Sequence, residues 1–268
     1  MGKLFDLDSP LMQGLTKMAD IIWLNLLTLL FFIPAGALLT FGISVSLPSF
    51  LVILMVYLAL LLTGPAVTGM HYVLLKMVRN EESYITKSFF KSFKENFVQA
   101  LILAAVVFLA AGLLGADLFL LATETMAGFP VVLRISILIV AIYLFMVSLW
   151  IFPVEARFVN TVPGTLKNAF LMSVLAFPRT IGMSAISLVP LVIYYFFGFR
   201  LMPLLIMFGI SGPAFVCALL YNKVFKRFEP GEEEVTPDEA FTIAEVDESP
   251  AGDVASESIG ETANDKEA

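Results

Sequence analysis

Six long apolar stretches govern what this chain can fold into. They lie at 21–41, 50–77, 98–121, 131–152, 181–197 and 201–224. About 20 apolar residues in helical form cross the ~30 Å hydrocarbon core of a bilayer. Within that core only helices and closed barrels satisfy their own backbone polar groups. The stretches lack two-residue alternation and are too long for barrel strands, so they are predicted to be helices. The predicted fold class is all-α: a polytopic transmembrane helical bundle of six spans over 1–228, with cytoplasmic interfacial amphipathic helices and a disordered acidic tail at 229–268. The first stretch is no removable signal peptide, because its apolar run is too long and no A-x-A site follows. Composition agrees, with 59% apolar and 15% charged residues; soluble domains carry about 25% charged residues. Cys217 is the single cysteine, which excludes a disulfide scaffold.

Charge is divided unevenly and orients the bundle. From Glu229 onward there are 14 acidic residues and one base, Lys266, so the tail holds −13 while residues 1–228 hold +6. A segment so polar buries too little surface to offset its ordering entropy, and it is expected to be disordered. The bases before it are scattered among apolar spans and form no basic face for nucleic acid. Six spans place both chain ends on one side. Thirteen of the 15 bases then fall on that side, leaving Arg134 and Arg200 for the other. The positive-inside rule makes the rich side cytoplasmic, with the protein in the cell membrane as a multi-pass chain.

Residues 84–99 are expected to form an amphipathic helix. Ile85, Phe89, Phe90, Phe93 and Phe97 share one arc at 3.6 residues per turn, with Lys87, Lys91 and Lys94 on the neighbouring arc. Such a helix either lies among anionic headgroups and offers its phenylalanines to lipid or a partner, or packs on the underside of its own bundle. Asp8, Ser9 and Pro10 read as a helix cap followed by proline at the first helical position. Residues 165–176 are expected to form a third interfacial segment.

Little in the spans suggests chemistry. Asp20, Glu155 and Arg157 fall at ends where water is expected to be within reach. Asp117 and Arg134, on consecutive spans near the outer face, are expected to form a structural ion pair. Asn25 lies inside the first span, where amides usually bond to a neighbouring helix. Gly209, Ile210, Ser211 and Gly212 spell the G-x-S-G of rhomboid-type proteases, but the one histidine, His71, is predicted nearer the cytoplasmic end of its own span. No metal-ligand spacing or phosphate loop is present, and no cofactor is expected. The second span is interrupted at Gly64-Pro65 and the sixth at Gly212-Pro213. Proline removes a backbone donor, so a kink or opening is expected at both places. Matched breaks can mark a transporter's midplane site; packing alone also produces kinks.

The run Met77-Val-Arg-Asn-Glu-Glu-Ser-Tyr-Ile-Thr-Lys-Ser-Phe-Phe-Lys-Ser-Phe-Lys-Glu-Asn-Phe97 resembles the bacterial YesL-like family, a domain of unknown function. Phe5, the Asp8–Met12 run, Asn25-Leu26-Leu27, the Thr63–Tyr72 run and the Asn222–Lys226 run are similar to it as well. The chain departs from the family by about one extra apolar span between Pro34 and Thr63, and by its acidic tail. The resemblance implies an integral membrane protein often encoded beside carbohydrate-uptake systems, with no agreed catalytic residues. The expectation is a non-enzymatic accessory protein, with membrane lipids and a carbohydrate transport system as partners. The alternative is a small transporter or permease subunit. Against it, Glu155-Ala156-Arg157 begins like the cytoplasmic loop of sugar permeases, but Thr161 stands where that loop has glycine.

Overall fold

A computed structural model describes residues 10–81, 84–122 and 130–229. The chain divides into a unit Met1–Phe225 and a unit Lys226–Ala268. In the second unit only 226–229, a turn, is described, so the acidic tail expected to be disordered lies almost wholly outside the described residues. Every regular element described in the first unit is a helix.

Helix α1 (Pro10–Leu30) runs unbroken from the predicted proline start into the first apolar stretch. The chain then bends by 42° into α2 (Ile33–Ser44). Pro34 causes the bend: it has no N–H for the Leu30 carbonyl, and the turn tightens through Phe31 N–H to Thr28 O (3.1 Å) and Phe32 N–H to Leu29 O (2.9 Å). A hairpin follows, with Ser46 at φ 53° and Leu47 N–H donating to Gly42 O. Helices α3 (Ser49–Leu61) and α4 (Thr63–Val78) form one continuous apolar column of 30 residues. Asn80, at φ 55°, ends α4, in the left-handed position where asparagine is tolerated.

Helix α5 (Ile85–Glu95) folds back against α4, and α6 (Phe97–Ala122) and α7 (Val131–Arg157) are long apolar columns. Next come α8 (Val162–Leu175), α9 (Phe177–Phe197), a 3-10 turn (Gly198–Leu201), α10 (Met202–Phe208) and α11 (Ser211–Phe225). Gly198 adopts φ 54°, ψ −135°, a region that side-chain-bearing residues avoid. Gly182 lies against Leu220, while Ser187 lies 3.9 Å from Cys217, so α9 and α11 run in opposite directions.

Among the described residues four helices are long and apolar enough to cross a membrane: Ser49–Val78, Phe97–Leu120, Val131–Arg157 and Phe177–Phe208. The bent pair Met12–Leu30 and Ile33–Ser44 makes a fifth if counted as one. The expected sixth stretch, 201–224, is divided between α10 and α11, each too short to cross alone. Around the bundle, Leu113, Ile139, Leu191 and many similar side chains stay exposed. An apolar belt of this extent suits lipid contact.

Candidate functional site

The second break shows how the sequence builds a stable discontinuity inside an apolar bundle. Gly209 and Ile210 separate α10 from α11, leaving backbone groups that no helical turn satisfies. Asn25 of α1 satisfies them: its Oδ1 accepts from Ile210 N–H (3.0 Å) and Ser211 N–H (2.7 Å), and its Nδ2 donates to Ile206 O (2.6 Å). Asn25 is fully buried. The amide thus caps the broken helix from outside, a role its position alone did not reveal.

The Gly64-Pro65 break is of another kind. Leu62 stays in helical conformation and the column Ser49–Val78 continues past it. Gly64 is buried at a close helix crossing, where an added Cβ would sit 2.6 Å from Ala104 Cβ of α6. The opening expected at this point is therefore replaced by tight packing, and Pro65 is buried beside it. Gly212 and Pro213 lie in the first turn of α11, just past the discontinuity. The two columns do pack directly and in the same direction, through Ser211 Oγ donating to Met70 Sδ (3.4 Å) and Arg79 Nε donating to Asn222 Oδ1 (2.9 Å).

A crevice of about 320 Å³ opens at the second break, between α4, α7, α9 and the α10–α11 joint. Pro153, Pro190 and Pro213, from three different helices, all line it. His71, Ser148, Ser187 and Cys217 supply its polar atoms, and no Asp, Glu, Lys or Arg is among the described residues lining it. His71 Nδ1 and the Tyr221 hydroxyl are 3.0 Å apart. Ser211 and His71 each engage a different partner, so the G-x-S-G serine forms no hydrogen bond with the histidine among the described residues.

The phenylalanine arc of α5 faces the bundle. Phe89 is 0% exposed, and Phe90, Phe93 and Phe97 are half-buried. Their rings join that of Phe31, with centroids 4.8 Å apart for Phe31–Phe93 and 5.5 Å for Phe93–Phe97. Of the two placements the sequence left open, the structure shows the second, with the arc packed on the underside of its own bundle. Burying them against α1 and α4 removes more apolar surface from water than the headgroup region would. The predicted helix 84–99 also divides, since Asn96 ends α5 and its amide donates to Ser92 O (3.1 Å). Lys87, Lys91 and Lys94 remain exposed beside a shallow groove that includes Tyr84 and Phe90. Trp23 Nε1–H donates to Thr86 Oγ1 (2.9 Å) and Lys17 Nζ to Asn80 Oδ1 (2.9 Å), pinning α1 to this end.

Lys91 and Glu95 form an exposed ion pair at 4.0 Å on α5. One ionic expectation changes. Glu155, expected within reach of water, is buried, and its Oε2 accepts from Gln99 Nε2 and Thr165 Oγ1, both at 2.9 Å. That carboxylate ties α6, α7 and α8 together at the basic end. Among the described residues no three His, Cys, Asp or Glu lie close enough to hold a metal ion.

No curated protein and no solved structure matches the chain. Residues 21–118, from within α1 to near the end of α6, match a family described as a protein of unknown function, DUF624. The match takes in Asn25, Gly64 and the whole of α5, so over that part the chain is similar to an uncharacterised family.

Proposed function

We propose that the chain is a non-enzymatic accessory protein of the cell membrane, crossing it six times with both ends cytoplasmic, whose basic end engages acidic headgroups or an acidic partner surface. The observation that carries this reading is the division of labour on α5. Its phenylalanines fix the helix to the bundle, and Lys87, Lys91 and Lys94 are thereby held outward along one edge. The six-span orientation draws support from the opposed directions of α9 and α11. Sugar import as the process draws on the family resemblance alone.

The test combines genetics with purification. The full chain with Lys87→Gln, Lys91→Gln and Lys94→Gln is expected to fold like the parent and to release a carbohydrate permease or its ATPase that the parent retains in mild detergent. Recovery of neither component with the parent, together with unchanged sugar uptake after deletion of the chain, would remove the proposal.

A transporter remains the second reading, favoured by the crevice beside the α10–α11 joint. Reconstituted flux that survives replacement of both Pro65 and Pro213 would argue against the breaks as its route.

A further inference from the structure

The crevice beside the second break has a lining chemistry that selects among ligands, independently of any role for the basic end. Its volume, about 320 Å³, lies at the small end of the range for ligand pockets, roughly 300–1,000 Å³. Val67, Met70, Leu149, Phe152 and Met183 make most of the wall apolar. An ionised ligand would find no counter-charge among the described lining residues, and burying a lone charge in such a site is costly.

The polar atoms favour a hydroxyl. Proline has no N–H to give the carbonyl four residues earlier. Pro153 and Pro213 therefore leave the Leu149 and Gly209 carbonyls without their ordinary helical donor, and both of these residues line the crevice. His71 has one ring nitrogen engaged with Tyr221, and its Nε2 has no hydrogen-bond partner among the described residues. If the Tyr221 hydroxyl donates to Nδ1, then Nε2 carries the proton and donates; with the other tautomer it accepts. A hydroxyl group is both donor and acceptor, so it pairs with either state of the ring and can also donate to a freed carbonyl.

We propose that this crevice is a binding site for a small neutral amphiphile, an apolar chain or ring system of roughly eight to ten carbons bearing one hydroxyl, with His71 receiving the hydroxyl and the α7–α9 wall covering the apolar body. Entry needs no charge neutralisation and no backbone opening at Gly64-Pro65.

The experiment uses the full chain in phosphatidylcholine vesicles and a photoreactive octanol carrying a diazirine. Saturable labelling is expected on Met70, Leu149 and Met183, suppressed by excess octanol and not by octanoate at pH 8. His71→Phe should lower the saturable component about fivefold, as loss of one neutral hydrogen bond predicts, and His71→Gln should keep most of it. Ala214→Phe, which fills the crevice, should abolish it. Labelling spread without saturation over the outer belt would overturn the proposal, as would equal competition by octanoate. If Ala214→Phe does not fold, the adduct map and the two competitors still decide.

Discussion

Replacing Asn25 by alanine removes three hydrogen bonds at once and leaves the Ile210 and Ser211 amides buried without acceptors. A cost of about 1–3 kcal/mol is expected, since hydrogen bonds inside membranes contribute modestly and orphaned buried groups cost more. Denaturation of the purified protein in mixed detergent and SDS measures it, and an unchanged midpoint would mean that the break finds other partners. Gly64 invites a paired comparison. Gly64→Val forces apart α4 and α6 and should cost about 1–3 kcal/mol, whereas Gly36→Ala, with nothing within 4 Å, should be neutral or slightly stabilising. The sequence marked both residues as unusual, but the reason for each depends on a neighbour distant along the chain. Ala104 and Ile210 carry no signal of their own.

Helix α5 shows what periodicity tells and what it omits. Its spacing of phenylalanine and lysine made an amphipathic helix readable, because 3.6-residue periodicity follows from backbone geometry. The direction of the apolar face was not readable, since in a membrane protein lipid and protein both accept phenylalanine. The structure turns that face inward. Phe89→Ala should accordingly destabilise the bundle by about 3–5 kcal/mol, while Lys91→Ala should stay within about 0.5 kcal/mol, because its contact with Glu95 is exposed. Equal midpoints for the two variants in the same denaturation assay would contradict the observed burial. Glu155 carries the same lesson in reverse. Its nearness to a helix end suggested water, and the packing of α6 and α8 against α7 covers it.

For the whole molecule, apolar length made the membrane character and the helical class plain before any coordinates. The division of the last stretch was signalled by Gly212-Pro213, and the joint falls just before that pair, at Gly209 and Ile210. The proposed orientation has a direct test. In a Cys217→Ser background, Ser49→Cys at the start of α3 should react with an impermeant maleimide in intact cells, and Lys87→Cys should react only after permeabilisation. The opposite pattern would invert the bundle and place the lysine edge outside.

The capping amide at Asn25 also bears on how the molecule comes into being. Asn25 and Ser211 are 186 positions apart, so the latch joins two segments that leave the ribosome well apart in time. Until translation has passed Ser211, that amide sits in the nascent bundle without its final partners. A product stopped at Phe208 would insert several helices and yet stay unlatched, which makes such fragments natural prey for membrane quality-control proteases.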